Sequence, residues 1–145
     1  MDWRERLRRF LPGAWLGLLA GIAFIATPAP FATLAATDAG RVVRHIFSIE
    51  APMSLAFGVL LLMLERRTGL ERHVATGASQ FTAEMILVLG ALFCTVLGHY
   101  GLQPLMEQAR AGTGSVDFGR LHLASTALFG IKGLFVLALA WKATK

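Results

Sequence analysis

The side chains best equipped for chemistry are few and scattered. They are Glu50, Lys132, the histidines His45, His73, His99 and His122, one tyrosine (Tyr100) and one cysteine (Cys94). Imidazole is a common ligand for copper, zinc and haem. His99 and His122, with His45, are therefore the candidate metal ligands, and haem or copper the candidate cofactor. No two of these histidines stand at a local ligand spacing such as H-x-x-x-H, and Cys94 has no second thiol. Hydrogen bonding to backbone or water is the more ordinary use of such histidines. Glu50 and Glu107 would serve as an acid/base pair only if a site enclosed them. There is no G-x-S-x-G, no H-E-x-x-H, no phosphate loop and no dinucleotide fingerprint. A role without catalysis is expected.

Composition says what surrounds these groups. Of 145 residues, 55% are hydrophobic and only 16% charged, where a soluble domain carries about 25% charged. Mean hydropathy is +0.60. The formal net charge of +5 would suit nucleic acid in an ordinary composition, but the basic residues avoid the long apolar stretches, so no nucleic-acid partner is expected. A lone cysteine excludes a disulfide scaffold. The expected partner is a lipid bilayer.

A spanning helix needs about 20 mostly apolar residues. Four stretches qualify, at about 12–36, 46–64, 85–106 and 121–141. Only Glu50 and Lys132 place a charge inside the last three or the first. The expected fold is all-α, a four-helix transmembrane bundle forming one integral membrane domain over residues 1–145. Lys and Arg number nine on the side that holds both ends of the chain and four on the other. The positive-inside bias thus puts both termini in the cytoplasm. Trp3, Trp15 and Trp141 fall near the inner ends of their spans, where interfacial tryptophans belong. Thr33-Leu34-Ala35 resembles a signal-peptide cleavage site, yet the apolar run before it exceeds an ordinary h-region, so the first span is expected to be retained. Glu65 to Thr82 reads as a polar cytoplasmic loop.

Three features are costly in lipid. Pro28 and Pro30 lack amide protons and release the carbonyls of Phe24 and Ala26, which marks either a functional break or an early end of the first span. Lys132 lies too deep to snorkel freely. The expected partner for it is the pair of proline-freed carbonyls, with Glu50 as a longer-range counter-charge. Finally, His45, Glu50, His99, Tyr100 and His122 gather toward the outer leaflet. His99, Gln103 and Glu107 share one helical face, and His122, Ser125 and Thr126 another. Pro28, Pro30, Glu50, His99, Tyr100, His122 and Lys132 are thus the candidate lining of an outer-side polar pocket. Such a pocket fits a binding or transport-type component, with a metal- or haem-binding protein and a structural subunit of a larger complex as alternatives. Gly13, Gly17 and Gly21, Gly90 with Gly98, and Gly130 with Gly133 offer small faces for close packing inside the bundle. A membrane-protein partner or a second copy is the alternative occupant of those faces.

The order of short motifs also carries a resemblance. Trp15-Leu16-Gly17, Pro28-Ala29-Pro30-Phe31, Ala39-Gly40 and Ile46-Phe47 are followed by Tyr100, Pro104, Arg110, Phe118-Gly119-Arg120-Leu121-His122 and Ser125. This series resembles the uncharacterised bacterial membrane family related to eukaryotic transmembrane protein 205, from about Leu11 to Trp141. It is more loosely similar to copper-resistance D-like membrane proteins. The resemblance implies a four-span protein of the bacterial cytoplasmic (inner) membrane with no established activity. Lys132 has no counterpart in the family pattern.

Overall fold

The computed structural model describes all 145 residues, and they form four long helices and no strand. Helix α1 runs over Trp3–Thr33, α2 over Ala36–Thr76, α3 over Ala83–Arg110 and α4 over Phe118–Ala143. All four are long and apolar enough to cross a membrane. Only 26 of 145 residues are buried, because the apolar side chains are solvated from outside. Phe24, Ile25, Phe93 and Leu123 are each more than 60% exposed. Water would not tolerate such a belt; hydrocarbon does.

The helices are longer than the apolar stretches that mark them, because nothing stops them at the membrane surface. Helix α2, 41 residues long, extends about 60 Å at 1.5 Å per residue, roughly twice the hydrocarbon thickness. The expected loop from Glu65 is therefore helical as far as Thr76. Its Glu and Arg residues are good helix formers in water. Gly69 survives inside it because a side chain there would strike the Gln80 carbonyl. The helix stops at Gly77, whose φ of +70° lets its amide donate to the His73 carbonyl. Helix α3 then starts at Thr82, whose hydroxyl accepts from the Met85 amide at 3.1 Å. At the opposite end only Leu34 and Ala35 separate α1 from α2.

The chain goes up and down, so both termini lie at one end, and each helix packs on its sequence neighbours with α1 closing on α4. At the termini end the packing is close. Leu11, Trp15, Leu19, Leu61, Leu64, Val88, Ala91, Val136 and Leu139 make one buried cluster, with Trp15 stacked on Phe57 at 6.0 Å. Gly58 admits Leu92, and Gly90 admits Phe135. By contrast, Gly13, Gly17, Gly21, Gly130 and Gly133 have nothing within 4 Å of where a Cβ would stand. The expected packing of those faces inside the bundle does not occur; bulkier side chains fill the core and the glycines turn outward.

Trp15 corrects another expectation. It is fully buried and not interfacial, since α1 begins nine residues before Pro12 and carries Trp15 three turns into the bundle. Trp3 and Trp141 are exposed, as the interface requires.

Candidate functional site

Glu50 and Lys132 each stand fourteen residues past the first residue of their helices, Ala36 and Phe118. Both helices start at the same end, so the two charges share a depth of about 21 Å. No Cα of α2 comes within 8 Å of one on α4. The long lysine side chain bridges this diagonal, and Nζ donates to Glu50 Oε1 at 2.6 Å. Each side chain is under 5% exposed.

The expectation that Lys132 docks first on the proline-freed carbonyls is therefore wrong. It assumed that α2 starts at Ile46, which placed Glu50 too near the surface. The ten extra residues bring the carboxylate level with the ammonium. A direct pair then cancels both charges where an isolated one would cost several kcal/mol.

The same Glu50 oxygen accepts a second hydrogen bond. Ser54, one turn on, donates its hydroxyl to Glu50 Oε1. The Ser54 oxygen in turn accepts from Trp15 Nε1 at 2.9 Å. Lys132 further lies 5.0 Å from the centre of the Phe129 ring, and Phe129 meets Phe47 edge-on at 5.4 Å. The result is a buried polar chain, Trp15–Ser54–Glu50–Lys132, that ties α1, α2 and α4 together.

Its Glu50–Lys132 end is the floor of a cavity of about 730 Å³ between all four helices. Glu50, His99, His122 and Lys132 all line it. Pro28, Pro30 and Tyr100 do not; Thr27 and Phe31 occupy the α1 wall. Tyr100 is half exposed and touches His99 edge-on at 4.9 Å. His45 is exposed and outside the lining. His73 lies in the last turn of α2 at the opposite end, its Nδ1 2.7 Å from the Ala78 carbonyl. No group of three or more His, Cys, Asp or Glu side chains is arranged to hold a metal ion, so the set His45, His99 and His122 is not assembled. His122 stacks on Phe118 at 5.9 Å instead.

The prolines act through the backbone. Neither a broken span nor an early end occurs at Pro28: a π turn over Ile22–Ala26 lets the Thr27 amide donate to the Ile22 carbonyl at 2.9 Å, and helix resumes at Pro28. Proline at the first position of the resumed segment needs no donor. A second π turn, Val96–Gly101, precedes Pro104 on α3 and contains His99. Such turns shift register by one residue and often border functional sites. Both flank this cavity.

Arg44 and Arg110 also line the cavity, and neither is among the lining residues expected from the sequence. Arg110 donates to Glu107 Oε1 at 2.6 Å, and Arg44 reaches the same oxygen at 3.8 Å. Arg110 also covers the Phe118 ring at 4.8 Å. The Ser54–Trp15 link was missed too. The spacing of Glu50 and Ser54, one helical turn, was the available signal for half of it.

At the termini end each helix contributes one charge to a second cluster. Arg8 meets Glu65 at 3.4 Å, and Lys142 meets Glu84 at 3.2 Å.

These features define the class: a four-span membrane protein with a half-open bundle and a charged pair at its centre. The chain belongs to the family described as Domain of unknown function (DUF4149), which matches residues 10–115. That stretch holds Trp15, Glu50, Ser54 and His99, whereas His122 and Lys132 fall beyond it. No curated protein and no solved structure matches the chain.

Proposed function

We propose that this protein is a membrane-embedded binding component, of the kind that receives or carries a small ligand, and that the cavity above Glu50 and Lys132 is its binding site. One observation carries the reading: all four helices contribute to a cavity of about 730 Å³ whose floor is a buried ion pair. Small-molecule sites occupy about 300–1,000 Å³, with apolar walls and a few placed polar groups. A bundle that only needed to persist in lipid would gain nothing from a charged pair at mid-depth, and an apolar pair of similar size is often as stable or more so. The reading assigns no catalytic step. The excess of Lys and Arg around the termini end supports a cytoplasmic placement for that end, and hence a cavity facing the outer side of the membrane. The resemblance to the family related to transmembrane protein 205 supports placement in the bacterial cytoplasmic membrane.

The test is native mass spectrometry of the protein released gently from its membrane, beside a Ser125→Trp variant that fills the cavity. The expected result is a bound small molecule on the native chain and its loss from the variant, with thermal stability retained. Equal adducts on both, or none on either, would overturn the reading.

A further inference from the structure

The cavity wall is incomplete on one side. Residues Trp3–Gly21 of α1 pack against α4, yet no Cα of Ile22–Ala26 or of Pro28–Thr33 comes within 8 Å of one in Phe118–Ala143. The same outer part of α1 still packs on α2. Helix α3 packs on α4 along the whole cavity but on α2 only as far as Val96–Gly101; beyond that, the Arg44–Glu107 pair spans the space between α2 and α3. The ring of four helices is thus parted between α1 and α4 from Ile22 outward, while the gap between α2 and α3 nearest the mouth is bridged by side chains. Cavity-lining residues stand on both edges of the parting, Ala23 and Thr27 on α1, Thr126 and Phe129 on α4. In a bilayer such a parting opens onto acyl chains and not onto water. The first π turn begins where the parting begins, at Ile22.

The charges sort by depth. At the floor, Lys132 and Glu50 cancel. Nearer the mouth, the guanidiniums of Arg44 and Arg110 share the single carboxylate of Glu107, which leaves one positive charge uncompensated. Between mouth and floor the walls include Phe31, Phe47 and Phe129, and Thr27 Oγ1 is buried with no hydrogen-bond partner. A cationic mouth, aromatic walls and a side door to lipid suit one kind of molecule.

Resting on the binding role above, we infer that the ligand is a single-chain anionic lipid that enters between α1 and α4. Its carboxylate or phosphate sits against Arg44 and Arg110, where a bidentate guanidinium contact is strongest. Its chain lies along Phe47 and Phe129 and leaves through the parting. Two chains would exceed the space, and a fully water-soluble anion would leave the aromatic wall and the side opening unused.

The experiment uses the full chain in phosphatidylcholine nanodiscs with a diazirine-bearing palmitate, and maps the covalent adducts. The expected adducts fall on cavity residues of α1, α2 and α4, and excess palmitate removes them while hexadecanol does not. Arg44→Gln with Arg110→Gln weakens labelling at least tenfold without changing the unfolding temperature; Thr126→Trp, which narrows the parting, does so with both arginines intact. Competition by lysophosphatidate stronger than by palmitate assigns the headgroup as phosphate, and the reverse assigns carboxylate; both support the inference. Adducts confined to lipid-facing residues such as Phe24 and Phe93, equal competition by hexadecanol, or full labelling of both the arginine and tryptophan variants would overturn it. If the native chain still carries a ligand that Ser125→Trp removes, that failure would leave the binding role standing and reject only the lipid.

Discussion

The same four helices behave differently at their two ends. Around Trp15, Leu61, Val88 and Val136 they close into a buried apolar cluster, and the charges there, Arg8, Glu65, Glu84 and Lys142, line only a small cavity of about 70 Å³ at its end. One to three turns further on, the helices stand apart around a cavity, and the charged pair is at its floor. In lipid, apolar burial gives helices little reason to associate. The closed half therefore relies on shape, with Gly58 and Gly90 letting neighbours approach. The open half relies on hydrogen bonds and ion pairs. If this division is right, substitutions at the two ends should fail for different reasons.

The largest effect is expected at the pair. Lys132→Met leaves the Glu50 carboxylate buried with Ser54 alone, at a cost of about 3–5 kcal/mol. Thermal unfolding in a fixed detergent should show the loss, and Glu50→Leu added to Lys132→Met should restore most of it. A double variant no better than the single would show that the pair does more than cancel charge. The chain Trp15–Ser54–Glu50 supplies a second test. Trp15→Phe keeps the stacking on Phe57 but leaves the Ser54 oxygen one donor short, a loss of about 1–3 kcal/mol. It should fall sharply in the Glu50→Leu/Lys132→Met background if the hydrogen bonds form one network. An unchanged cost would divide the chain into independent bonds.

The closed half should respond to volume. Gly90→Leu would put its side chain into the Phe135 ring, 2.7 Å from the added Cβ, and cost about 1–3 kcal/mol by overpacking. Gly17→Leu, on the open face of α1, should stay within about 0.5 kcal/mol. Should Gly17→Leu also destabilise strongly, or change the oligomeric state in size-exclusion chromatography with light scattering, that glycine face would be an interface.

Much of this architecture is legible in the sequence, because hydrophobic runs of spanning length report the solvent directly. The four spans, the shared end of the termini and the gathering of Glu50, His99 and His122 all follow from apolar length and helical rise. What the sequence concealed is where helices end beyond the lipid. Apolar runs mark only the most hydrophobic part of a helix, but Ala36–His45 and Glu65–Thr76 extend α2 beyond the run at both ends, and that difference moved Glu50 by about 15 Å from the helix start. It turned a long-range counter-charge into a direct partner. The π turn before Pro28 was equally hidden: proline marks a lost donor, while the register shift that absorbs it depends on the neighbouring carbonyls. The outward turn of Gly13 and Gly17 could not be read either, since which face of a uniformly apolar helix meets its neighbours is settled by packing alone.

The smallest effect is expected where charge is most exposed, and it separates the two ends most cleanly. Lys142 meets Glu84 at 3.2 Å, but their side chains are 42% and 26% exposed, so water and salt compensate either one when the other is lost. Lys142→Met should cost about 0–1 kcal/mol, and the difference should shrink further in high salt. Lys132→Met, in contrast, should keep its full cost whatever the salt, because mobile ions do not screen a pair sealed within the bundle. The two lysines lie ten residues apart on one helix. Parallel unfolding curves at low and high ionic strength therefore compare depth with chemistry held constant. Similar salt dependence for the two variants would mean that ions reach Lys132, and that the floor of the cavity is wet.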